Sequence, residues 1–195
     1  MNLTKKIYIK NMVCQRCVLA VEKILEELHL QPVYIHLGEV LLTKSPTAKQ
    51  QMQLEKELEK IGFELLDDAR QQEIEKIKTL VISHIHYQED SDFSFPSLLA
   101  KELNREYSTI SKLFSETEGI TIEQFVIRQK IEKAKELLAY REMNLNEISF
   151  KLGYSSAAHL SAQFKKVTGL TPSQFKKQAY QLRKSLDAVS GTNRI

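Results

Sequence analysis

The stretch SAQFKKVTGLTPSQF, residues 161–175, settles the architecture of the second half of the chain because it occurs twice. Residues 111–125, SKLFSETEGITIEQF, match it at an offset of 50: Ser111, Phe114, Gly119, Thr121, Gln124 and Phe125 recur as Ser161, Phe164, Gly169, Thr171, Gln174 and Phe175. Six identities in fifteen positions at one offset mark an internal repeat. Each copy follows the same physical logic. An aromatic anchors a helix, a glycine ends it, and Thr-x-x-Gln opens the next helix as a capping box. Upstream, FPSLLAKELNREYSTISKLF (95–114) reads helix, turn, helix, with Leu99, Ala100 and Leu103 facing Ile110, Leu113 and Phe114. LNEISFKLGYSSAAHLSAQF (145–164) does the same with Ile148, Leu152, Gly153, Leu160 and Phe164. Both are helix-turn-helix units. A long helix from Thr121 to about Tyr140 joins them, with Ile127, Ile131, Ala134 and Leu138 on one stripe.

Two such units on one strut can enter successive major-groove segments about 34 Å apart on one face of DNA. The charge distribution suits that partner. Residues 1–90 carry 12 basic and 14 acidic residues, whereas residues 91–195 carry 16 and 11, so the net charge of +3 is concentrated late. From Lys151 onward there are eight basic residues and one acidic residue, Asp187. Such a block suits a polyanion, and equally a solvated basic face.

The double unit resembles the DNA-binding domain of AraC-type transcription regulators over about residues 93–178. AKELL…NLNEISFKLGYSSAAHLSAQFKKVTGLTPSQFKK is its most specific part. The resemblance implies double-stranded DNA as partner. It also implies that Ser108, Thr109, Ser111 and Lys112 face the groove in the first recognition helix, and Ala157, Ala158, His159, Ser161 and Ala162 in the second. The family often carries long polar side chains at that second set. Alanines here can touch thymine methyls only, while Lys165, Lys166, Lys176 and Lys177 can hold phosphates, so the second unit is expected to contribute position and shape. Tyr107 and Tyr154, at the turns, read as packing residues.

The first half has a different pattern. Ile7 and Ile9 alternate with Tyr8 and Lys10 as a short strand, and Val18, Val21, Ile24, Leu25 and Leu28 share one helical face. Val33, Ile35 and Leu37 alternate up to Gly38-Glu39, and Val40 to Leu42 follow as the return strand of a hairpin. Leu54, Leu58 and Ile61 mark a second helix ended by Gly62, and FELLD reads as a fourth strand. The order βαββαβ is the ferredoxin-like arrangement. The fold class is therefore α+β: a ferredoxin-like domain followed by an all-α double helix-turn-helix.

Both cysteines of the chain, Cys14 and Cys17, lie in NMVCQRCVLA (11–20), where the first strand gives way to the first helix. Cys14 falls on the loop and Cys17 in the first helical turn. Unsatisfied N–H groups and the positive helix end favour thiolate at both. Two soft thiolates without a nearby hard ligand suit Cu(I) or another soft ion, whereas zinc wants four ligands. His29, His36, His84 and His86 lack ligand spacing to the pair. Met12-x-Cys14-x-x-Cys17, with Ile61-Gly62-Phe63 entering the last strand, resembles the heavy-metal-associated domain of copper chaperones and metal-transporting ATPases over residues 4–68. That likeness implies metal binding by Cys14 and Cys17, Met12 packed beneath the loop and Phe63 close by. The family usually has glycine before the methionine, and this chain has Asn11. A thiol redox switch, and a domain that only mediates dimer or partner contacts, remain open readings of the same pair.

The expected division is 1–70, a helical connector at 71–92, 93–180 for the DNA reader and a basic tail at 181–195. Ile74, Ile77, Leu80 and Val81 keep helical spacing in the connector, and a homodimer is a candidate assembly. The start MNLTKKIYIK lacks a secretory signal pattern, and no apolar run approaches the roughly 18 residues of a membrane span, so a cytoplasmic address is expected. No catalytic constellation stands out: there is no Ser/His/Asp set, carboxylate pair or phosphate-binding glycine loop.

Overall fold

The computed structural model describes residues 4–87, 94–140 and 143–178. The chain divides into two compact units, Met1–Thr79 and Leu80–Ile195. In the first, β1 (Lys5–Lys10), α1 (Gln15–Glu27), β2 (Pro32–His36), β3 (Glu39–Leu42), α2 (Ala48–Lys60) and β4 (Glu64–Leu65) follow one another, and α3 (Ala69–Tyr87) begins. The sheet has the order β2-β3-β1-β4, and every neighbouring pair is antiparallel. Ile9, Val21, Leu25, Val40, Leu54 and Leu58 are fully buried in one cluster. Complete burial of each such side chain is worth roughly 1.5–3 kcal/mol, which is what holds a sheet this short together.

The hairpin departs from the sequence pattern at Val33. The register shifts between Pro32 and Tyr34, which pair with Leu42 and Leu41. Val33 is the extra residue of this irregularity and is 56% exposed instead of facing the core. Ile61 also lies outside the apolar face assigned to it. It is the residue capping α2, with Gly62 at φ 83° behind it, and is 47% exposed. The fourth strand is only two residues long; Leu66 beyond it is buried. Thr47 and Gln50 form a reciprocal capping box at the start of α2, an N-terminus the sequence reading did not single out.

Helix α3 starts two residues before the expected connector, and the division between the units falls inside it, after Thr79. Residues 88–92 of the expected connector and the tail at 181–195 lie outside the described residues.

The second unit contains α4 (Phe95–Leu103), α5 (Tyr107–Glu118), α6 (Ile122–Tyr140), α7 (Leu145–Lys151), α8 (Ala157–Thr168) and α9 (Pro172–Gln178). The repeat is preserved in detail. Helices α5 and α8 both have 12 residues and end at a left-handed glycine, Gly119 (φ 69°) and Gly169 (φ 78°). Thr121 and Gln124 bond each other's backbone N–H groups, as do Thr171 and Gln174. Phe114 meets Phe125 with ring centroids 5.6 Å apart, and Phe164 meets Phe175 at 5.5 Å; all four rings are buried. The α6 stripe is buried at Ile131, Ala134 and Leu138, but Gln129, Glu132 and Lys135 are buried with it. Lys135 donates to Glu132 at 2.6 Å, so the two charges are removed from water as a pair. No helix among the described residues is long and apolar enough to cross a membrane.

Candidate functional site

Asn144 opens α7 with a reciprocal capping box to Glu147, and Gly153 (φ 67°) turns the chain towards α8. Ser156 then caps α8, its side chain accepting from the His159 N–H at 3.1 Å. This fixes α8 at its N-terminus. Helix α5 lacks an equivalent: Glu106 is its N-cap, and the Glu106 side chain makes no capping bond. Instead Tyr107 donates a short hydrogen bond to Glu123 on α6. That bond holds the Glu123 carboxyl below the usual range, while burial and the neighbouring carboxylate push the Tyr107 phenol up.

The residues expected to face a groove fall on the outer side of both helices. Ser108, Thr109 and Lys112 are exposed on α5, with Ser111 half-buried. On α8, Ala158, His159, Ala162, Lys165 and Lys166 are exposed, and Ala157 and Ser161 are half-buried. Lys177 is exposed and Lys176 half-buried on α9. The Ser161 hydroxyl donates back to the Ala157 carbonyl at 2.7 Å, which leaves it less available to any partner. Lys112 lies 4.0 Å from Glu116, a surface pair that water screens.

The turn before α8 carries groups that sequence reasoning treated only as packing or passed over. Tyr154 meets the His159 ring edge-on at 5.2 Å, and Lys130 lies over the Tyr154 ring at 5.5 Å. Ser155 Oγ is 3.1 Å from His159 Nδ1. Burial pushes the Tyr154 phenol up to about 12 and the Lys130 ammonium down. The i,i+4 spacing of Ser155 and His159 was the only sequence signal for this arrangement.

The cysteine loop is built differently. Cys14 is the N-cap of α1 and Cys17 lies three residues on, with the sulfurs 3.1 Å apart and both side chains half-buried. The expectation of two readily ionised thiols is corrected here. For Cys14, burial opposes ionisation but is outweighed by the Cys17 side chain, the N–H groups of Cys17 and Arg16 and the Arg16 charge, so its thiol is shifted down. For Cys17, burial and the Cys14 sulfur beside it push the thiol up. Two adjacent sulfurs of like charge cannot both ionise cheaply, so the helix end stabilises one thiolate, not two.

Met12 is fully buried and Phe63 is buried in the same cluster, against which Cys17 packs. Asn11 has φ 70°, a left-handed conformation that asparagine tolerates better than most residues. Its side chain donates to the Gly62 carbonyl at 3.0 Å, and its backbone N–H donates to Glu75 on α3 at 3.0 Å. Glu75 is 5% exposed and lies 3.4 Å from Lys78. No group of three or more His, Cys, Asp or Glu side chains capable of holding a metal occurs among the described residues.

The family model that matches the chain, described as a helix-turn-helix domain, falls within the second unit, at residues 99–178. The probable transcriptional regulator LumQ of Photobacterium leiognathi is 27% identical over 122 residues, covering 62% of this chain and 42% of that protein. The Msm operon regulatory protein of Streptococcus mutans is 29% identical over 80 residues, 41% of this chain and 29% of that protein. The chain thus spans less than half the length of these curated relatives. Among solved structures, the C-terminal domain of AraT, a response regulator from Geobacillus stearothermophilus, covers 58% of this chain and 90% of its own at 23% identity and a TM-score of 0.48.

Proposed function

We propose that the chain is a sequence-specific transcription regulator that binds double-stranded DNA through α5 and α8. The observation that carries this reading is the duplicated scaffold: two recognition helices of equal length, each locked by one aromatic pair and one capping box, with Ser108, Thr109, Lys112, His159, Lys165 and Lys166 exposed on them. The AraC-type resemblance supports it. Fluorescence anisotropy with an operator recovered by selection from random DNA tests the reading. Selective binding is expected, with a salt dependence that weakens by about one unit of log–log slope for each of Lys165 and Lys166 replaced by alanine. Equal affinity for selected and random duplexes would refute it.

A second reading concerns the first unit, where the βαββαβ order and the placement of Cys14 and Cys17 support a ferredoxin-like, heavy-metal-associated-like domain. We read the pair as a site for one soft, low-coordinate ion, Cu(I) in the first place. Cys14 and Cys17 would hold it, and Met12 and Asn11 would shape the loop beneath. The reading predicts that stoichiometric Cu(I) protects both thiols of the reduced protein from alkylation. Thiols that remain fully reactive would refute metal binding and leave the DNA reading intact.

A further inference from the structure

On α8 the groove-facing set is Ala157, Ala158, His159, Ser161 and Ala162. Three of these are alanines, and the Ser161 hydroxyl is already bonded to its own helix. His159 is therefore the one side chain of the set with a hydrogen-bond donor left to offer. Its ring is exposed but not loose: the Tyr154 ring meets it at 88°, and Ser155 Oγ stands at hydrogen-bond distance from Nδ1. With Nδ1 committed to Ser155, the atom left to face a partner is Nε2. If Ser155 donates to Nδ1, the imidazole carries its proton on Nε2; in the imidazolium form Nε2 is protonated as well. With Ser155 as the donor to Nδ1, Nε2 presents an N–H donor to a partner.

We propose that His159 is the base-reading residue of the second helix-turn-helix, donating from Nε2 to a purine acceptor in the major groove, with Ser155 and Tyr154 as the positioning residues that orient its ring. This deepens the DNA-binding reading and rests on it. The acceptor edge that fits a single donor is that of guanine, whose N7 and O6 lie side by side, and the exposed methyls of Ala158 and Ala162 fit thymine C5-methyl groups beside it. The second unit then reads a guanine flanked by thymine instead of supplying position alone. His159 is also a narrow reader. Its pivot is fixed at the turn, so a one-step shift of the helix along the groove takes Nε2 out of reach.

The test uses the full chain. Operators are selected from random DNA with the wild type, His159→Ala, His159→Gln and Ser155→Ala, and affinities are measured on selected and scrambled duplexes. The wild type is expected to show one guanine whose replacement lowers affinity about tenfold, a discrimination that His159→Ala abolishes while binding to scrambled DNA stays within about twofold. His159→Gln is expected to move the preference at that base pair from guanine to adenine, since glutamine pairs with adenine N6 and N7. Ser155→Ala is expected to weaken the discrimination several-fold without moving it. An unchanged base preference in His159→Ala, or an equal loss on all sequences, would overturn the inference and leave the regulator reading standing. No selective binding by the wild type would overturn both.

Discussion

The backbone N–H of Asn11 donates to Glu75 at 3.0 Å, so the residue that turns the chain into the cysteine loop is held by a buried carboxylate on α3. Glu75 is 64 positions away in sequence, and it lies beside Lys78. Replacing it with alanine removes the acceptor for Asn11 and leaves the half-buried Lys78 ammonium without this carboxylate. We predict that Glu75→Ala lowers stability by about 2–4 kcal/mol, and that Glu75→Gln, which keeps an acceptor oxygen, costs less than half as much. Chemical denaturation monitored by circular dichroism checks the order; equal losses would show that the hydrogen bond is irrelevant.

The two aromatic pairs predict a symmetry of energetics. Phe114→Ala and Phe164→Ala each remove a fully buried ring from the same local design, and each should cost about 3–5 kcal/mol. Denaturant midpoints of the two variants should agree closely. A loss in one copy at least twice that in the other would mean that the repeat in sequence is not a repeat in packing.

Tyr154 offers the opposite sign. Its hydroxyl is buried and has no hydrogen-bond partner among the described residues, while its ring packs against His159 and under Lys130. Phenylalanine keeps the ring and removes the polar atom. Tyr154→Phe is expected to leave stability unchanged or raise it by up to about 1 kcal/mol. A melting temperature reduced by more than a degree or two would reveal a partner for the hydroxyl.

The Tyr107–Glu123 bond gives a pH signature. Glu123 has a lowered pKa in the folded chain, with the Tyr107 hydroxyl as the largest cause, so its contribution is present above the ordinary carboxylate range and lost as the pH falls through the folded value. Tyr107→Phe should therefore destabilise at neutral pH, by at most about 1 kcal/mol because the pair is partly solvated, and the difference should shrink towards pH 3. Parallel unfolding curves at both pH values would contradict this assignment.

How much of this was legible in the sequence follows from the range of the interactions. The glycine stops, the Thr-x-x-Gln boxes and the anchoring phenylalanines act within a few residues, so Gly119, Thr121, Phe164 and Gln174 could be placed by inspection. Cys14 and Cys17 fell where the strand-to-helix pattern put them. Val33 could not be read correctly, because an irregularity of pairing depends on the partner strand. The unequal acidity of the two thiols was hidden for a related reason: the helix end acts on both, but burial and the second sulfur act on each differently. Glu75 carried no local signal at all, since an acidic residue on an amphipathic helix ordinarily faces water, and only the fold brings Asn11 to it.

Gly119 and Gly169 are left-handed, and a methyl group built on either would meet nothing within 4 Å. Any penalty for a small side chain there comes from backbone handedness alone, free of crowding. A panel of substitutions at the two positions would rank asparagine above alanine and alanine above valine in the same sequence twice over. The duplicated turn thus doubles as an internal calibration standard, on which the intrinsic left-handed preference of each amino acid can be weighed inside a folded protein.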